Sequence, residues 1–64
     1  MNLPPFSIDE LVKNVSLMRT RAYREDFLKL AQMYKLGEKM TALQKDQLVA
    51  HAWAIAYKLD PSCL

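Results

Sequence analysis

The stretch Thr41–Leu59, TALQKDQLVAHAWAIAYKL, decides how this chain can fold. It opens on Thr41-Ala42-Leu43-Gln44, the spacing of a capping box: a threonine hydroxyl accepts from the amide three residues on, and the glutamine side chain reaches back. It must end before Asp60-Pro61, because proline lacks the helix amide and biases its predecessor away from helical angles. Between these limits the chain is apolar almost without interruption from Leu48 to Tyr57. On a helical wheel Leu48, Ala52, Ile55 and Leu59 form one stripe, and Val49, Trp53 and Ala56 form a second beside it. A third edge carries Ala50, Ala54 and Tyr57, where small residues four apart let another helix approach closely. One neighbouring helix cannot cover so wide an arc. The stretch therefore reads as a shared element, with one face for its own chain and another for a second partner. Trp53 suits either side, as a core residue or as an interface anchor.

Working outward, Gly37 follows Lys35-Leu36 as a left-handed cap and closes a preceding helix over residues 20–36. Its apolar stripe is Tyr23, Phe27, Leu30 and Tyr34, at i, i+4, i+7 and i+11. Gly37 to Met40 is a short connection of the kind that joins antiparallel neighbours. Further upstream, Ser7-Ile8-Asp9-Glu10 matches a second capping box, with Phe6 and Leu11 placed for a hydrophobic staple. A first helix over residues 7–18 follows, with Ile8, Leu11, Val12, Val15 and Met18 on one face. That stripe and the one beginning at Tyr23 lie about 100° apart around a common axis. A break with Thr20 as the new N-cap fits this better than one long bent helix over 7–36. Pro4 and Pro5 make residues 1–6 an extended lead-in, and residues 60–64 read as a frayed tail. The fold class is all-α: one domain, a two- or three-helix bundle with an antiparallel helical hairpin, completed by dimerisation. The first helix packs across the hairpin or onto a second chain.

The size of the chain motivates the dimer. A domain of 64 residues buries only about 60% of its unfolded surface and has a stability of roughly 3–10 kcal/mol, so such scaffolds usually need a staple. One cysteine and one histidine exclude an intramolecular disulfide and a Cys/His zinc site within one chain. Association is the staple left, and a homodimer is expected. A net charge of +2 is too small to imply nucleic acid or an anionic membrane by itself. No apolar run approaches the roughly 18 residues of a membrane span. The opening residues do not resemble a secretory signal, and Ser62-Cys63-Leu64 lacks the lysine of a peroxisomal address. A lone thiol then points to the reducing cytoplasm, where Cys63 is an inert free thiol.

Residues that could carry chemistry are few. His51 lies between Gln44, Gln47 and Lys58, and no helical neighbour three or four positions away supplies an orienting carboxylate or a nucleophile. It reads as an exposed or interface hydrogen-bonding group. Phosphate loops need several glycines and the chain has one. No catalytic residue, metal site or cofactor is expected. The one basic cluster is Arg19, Arg21 and Arg24 beside Tyr23, a candidate anion or nucleic-acid contact whose field Glu25 and Asp26 largely neutralise. Phe6-Ser7-Ile8 with Asp26-Phe27-Leu28 resembles the small phycobilisome-degradation adaptors. Leu17-Met18-Arg19 with Asp46-Gln47-Leu48 looks like the Hha-type nucleoid modulators. Each resemblance covers about half the chain and the two diverge, so no family follows. The expected function is a non-enzymatic protein–protein interaction module, a small adaptor or regulator acting through Val49, Trp53 and Ala56 with Ala50, Ala54 and Tyr57. A protein partner is therefore expected. The alternative is a small nucleic-acid-associated transcriptional regulator using the arginines in a dimer.

Overall fold

Helix ends in this chain are set by local hydrogen bonds that the sequence announces. In the computed structural model, which describes residues 2–63 and of Cys63 the backbone alone, the Gln44 amide donates to Thr41 Oγ1 at 3.1 Å and the Thr41 amide to Gln44 Oε1 at 2.9 Å. Both halves of the box are formed, and helix α3 runs Ala42–Leu59. Helix α2 runs Arg21–Leu36 and ends at Gly37, whose φ of 71° is left-handed. The amides of Gly37 and Glu38 return to the carbonyls of Tyr34 and Met33, a Schellman closure. A Cβ at Gly37 would meet nothing within 4 Å, so glycine serves here for its backbone angle alone. Helix α1 is Ile8–Lys13. Two 3₁₀ turns, Val15–Leu17 and Pro61–Cys63, complete an all-helical structure with no strand among the described residues.

The first helix departs from its expected course. It was to extend over 7–18, but the α-helix stops at Lys13. The Asn14 side chain donates to the Glu10 carbonyl at 2.9 Å, and the Asn14 amide turns to Leu11. Asparagine thus competes with the helical ladder for its own acceptor, and the chain tightens into three-residue turns. At Ser7 only the first half of the capping box forms, the Glu10 amide donating to Ser7 Oγ at 3.1 Å. Thr20 holds the N-cap position of α2, yet its hydroxyl makes no cap bond. The start of α2 is instead secured by Arg24, whose guanidinium donates to the carbonyls of Met18 at 2.7 Å and Arg19 at 3.1 Å. Residues 7–36 are accordingly two α-helices, separated by the 3₁₀ turn and a short link. At the other end Ser62 donates to the Asp60 carboxylate from its amide, at 3.0 Å, and from its hydroxyl. The expected frayed tail begins as an ordered turn.

All three helices meet in one core. Leu11 and Met18, then Phe27, Leu30 and Ala31, then Leu48, Ala52 and Ile55 form a single buried cluster, and Ala56 is buried as well. The expected stripe of α2 narrows to Phe27 and Leu30, with Ala31 added. Tyr23 and Tyr34 lie nearer the helix ends and stay 56% and 42% exposed, as amphipathic rings that keep a hydroxyl in water. α1 packs on both α2 and α3, so within one chain the first helix lies against its own neighbours. The radius of gyration is 10.9 Å, against about 10.7 Å expected for a compact chain of this length. A single copy therefore closes its own core.

Phe27 is the largest fully buried side chain. Phe27→Ala is expected to cost about 3–5 kcal/mol, much of a total stability of roughly 3–10 kcal/mol. Urea titration followed by circular dichroism should show the midpoint fall sharply or vanish. A second expectation concerns the ion pair of Lys35 with Asp9, which ties α2 to α1. The Lys35 hydrogen bond, then the Lys35 charge, hold the Asp9 carboxyl below its ordinary 3.8; Lys13 adds to this and desolvation opposes it. A folded-state pKa below the unfolded one gives stability that is complete above the unfolded value and lost as pH falls through the folded value. Wild type and Asp9→Asn should therefore differ slightly in stability above about pH 4 and converge in stronger acid. A gap that is constant with pH would remove Asp9 as its source.

Candidate interaction surface

Four sides of α3 meet four different environments. The inner side, Leu48, Ala52, Ile55 and Ala56, is fully buried. Ala56 was expected on a face offered to a partner; at 0% exposure it belongs to the chain's own core, because α1 and α2 together cover a wider arc than one helix could. Val49 and Trp53 lie on the adjacent flank and are half-buried. The Trp53 indole N–H donates to the carbonyl of Asn2 at 2.8 Å, which holds residue 2 at this flank. Pro4 is buried, and Leu3 and Phe6 pack partly buried against the core. The tryptophan assigned to a partner is thus engaged by residue 2 of the same chain.

The outer edge is open. Ala50 and Ala54 are exposed and Tyr57 is 50% exposed, its ring tilted against Trp53 with centroids 6.0 Å apart. Leu43 joins them at 67% exposure. The sequence reading used Leu43 only as a spacer in the capping box. Its position seven residues before Ala50 and fourteen before Tyr57 was the signal that puts it on the same edge. A second apolar patch lies at the seam of α1 and α2, where exposed Leu28 and Leu36 border a shallow depression shared with Val12, Gln32 and Lys35.

The fourth side holds His51, and here too the sequence reading was incomplete. The imidazole is only 15% exposed, with Nε2 2.9 Å from the Asp26 carboxylate and the ring 5.6 Å from that of Tyr23. The orienting carboxylate comes from α2, 25 positions away, where helical spacing cannot reveal it. Both contacts strap α3 to α2. The arginines do not converge on one ligand. Arg24 faces the loop carbonyls, Arg21 pairs with Glu25 at 3.0 Å, and Arg19 alone is exposed outside such a pairing. Among the described residues no group of three His, Cys, Asp or Glu side chains is placed to hold a metal ion. No described helix is long and apolar enough to cross a membrane. The Cys63 thiol lies outside the described residues.

No protein-family model, curated protein or solved structure matches this chain. The reading of its function rests on the surface itself.

Arg24 provides a direct check on how the basic cluster is used. Hydrogen bonds from a charged donor contribute about 1.5–3 kcal/mol. Arg24→Met should lower the unfolding free energy read from urea titration by an amount of that order, whereas Arg19→Met should leave it nearly unchanged. Equal, negligible effects would return Arg24 to the pool of surface cations.

Proposed function

We propose that this chain is a non-enzymatic interaction module, a small adaptor or regulator that works as a homodimer. The observation that supports this best is the outer edge of α3, where Leu43, Ala50, Ala54 and Tyr57 stand exposed in one line. Leu43 and Tyr57 lie symmetrically about Ala50 in sequence. In an antiparallel pairing of two such edges, Ala50 meets Ala50 and each Leu43 meets the partner copy's Tyr57, the self-complementarity that a two-fold interface requires. The alanines let the axes approach closely. The seam patch at Leu28 and Leu36 remains for another protein.

Within one chain the reading takes α2 and α3 as an antiparallel hairpin. Tyr23 near the start of α2 stacks beside His51, and the link before α2 borders Ala54 and Lys58 late in α3. Its setting is the cytoplasm, in keeping with a single cysteine. The nucleic-acid reading loses ground, since two of its three arginines are engaged within the chain.

Sedimentation equilibrium across a dilution series tests the dimer. Wild type should dissociate with dilution, and Leu43→Glu with Tyr57→Glu should be monomeric throughout. Both changes lie on exposed positions, so helix content should hold and stability shift by no more than about 0.5 kcal/mol per site. A wild-type chain that is monomeric at every concentration overturns the homodimer.

A further inference from the structure

A depression where the link before α2 meets the last turns of α3 carries charge without a counter-charge. Met18, Arg19, Thr20 and Tyr23 line it from one side, and Ala54 and Lys58 from the other. Arg19 and Lys58 are both exposed, neither forms an ion pair among the described residues, and no carboxylate lines the depression. The acids nearest in sequence are engaged: Glu25 with Arg21, Asp26 with His51, and Asp60 with Ser62. A third cation stands close behind. Arg24 donates to the Met18 and Arg19 carbonyls, which adds positive potential and holds the backbone that carries Arg19. Two unpaired cations in one concavity repel each other, and an oxyanion between them removes that cost while accepting charge-assisted hydrogen bonds. Thr20 adds a hydroxyl that makes no cap bond, and the exposed Tyr23 adds an aromatic surface. The charge comes from side chains of two separate elements, so it does not depend on the end of a helix.

We infer that this depression is a binding site for a small aromatic phosphate monoester. Its phosphate bridges Arg19 and Lys58, and its ring lies against Tyr23 and the apolar surface of Met18 and Ala54. Two cations suit a group that carries about −1.5 to −2 charge at neutral pH better than they suit a carboxylate. The depression measures about 230 Å³, below the roughly 300–1,000 Å³ of drug-sized pockets, so it holds a ligand of one ring and one headgroup. The site touches the outer edge of α3 at Ala54 but needs no second copy. Its failure would leave the dimer standing, and failure of the dimer would leave the site.

Phenyl phosphate is the probe, titrated into the full chain while the backbone amide resonances are followed by NMR. Saturable shifts are expected at Arg19, Thr20, Tyr23 and Lys58, with half-saturation at about millimolar probe. Arg19→Gln with Lys58→Gln removes both charges at exposed positions, so helix content should hold and affinity should fall about tenfold or more. Arg19→Gln alone should weaken binding by a smaller factor, which keeps the test decisive should the pair of changes disturb folding. Inorganic phosphate lacks the ring and benzoate the second charge, and each should bind severalfold more weakly than phenyl phosphate. Three results overturn the inference: no saturable shift, shifts spread evenly over every lysine and arginine, or unchanged affinity in folded variants. Equal affinity for inorganic phosphate overturns the aromatic part of the ligand, and equal affinity for benzoate overturns the phosphate. A single-stranded oligonucleotide bound more tightly than phenyl phosphate, and lost in the same variants, would give these cations to nucleic acid and overturn the claim for a small ligand.

Discussion

Alanines 31, 52 and 56 hold a position on which the rest of this structure depends. Each is almost completely buried, and each places little more than backbone between helices that must come close. The large fully buried side chains, Phe27, Leu11, Leu48 and Ile55, then fill the space that close approach leaves. A small chain with a single glycine and no crosslink in the described region gains its tertiary order from this alternation of large and small. Because α1 also joins the cluster, the apolar arc of α3 is covered on more than one side by its own chain. Dimerisation is then a matter of what the exposed edge can do. The core does not require it.

The parts of the fold that could be read in advance are those decided within four residues. Thr41 with Gln44 and Ser7 with Glu10 are local bargains between a side chain and a nearby amide, and Gly37 closes α2 through its own left-handed backbone. The early end of α1 is local as well. The sidechain amide of Asn14 was overlooked because the apolar spacing of Val15 and Met18 suggested an unbroken helix, and Met18 does reach the core by way of a 3₁₀ turn. What stayed hidden was tertiary. No periodicity shows that Asp26 will meet His51, or that Asn2 will meet Trp53, since those pairs exist only once helices have been laid side by side.

The same distinction sorts the candidate surface. Ala50, Ala54 and Tyr57 could be placed on an edge from spacing alone, and Leu43 belonged with them by the same rule. Whether Val49, Trp53 and Ala56 face solvent depends instead on how far α1 and the lead-in reach around α3. For Ala56 the answer is complete burial, and for Trp53 half-burial with one hydrogen bond, to the Asn2 carbonyl. The arginines show a parallel effect. Clustered in sequence, they point to an anion, but one carboxylate and two backbone carbonyls engage two of them first.

The bond from Trp53 to Asn2 joins residues 51 positions apart, the longest sequence separation of any hydrogen bond between described residues. Contacts within and between α2 and α3 close much shorter loops, and loop-closure entropy grows with the number of residues enclosed. That difference implies an expected order of folding, in which the helices pack first and the indole finds the Asn2 carbonyl late. Tryptophan emission and far-ultraviolet dichroism are then expected to time different events, one the arrival of residue 2 at the indole and the other the winding of the helices.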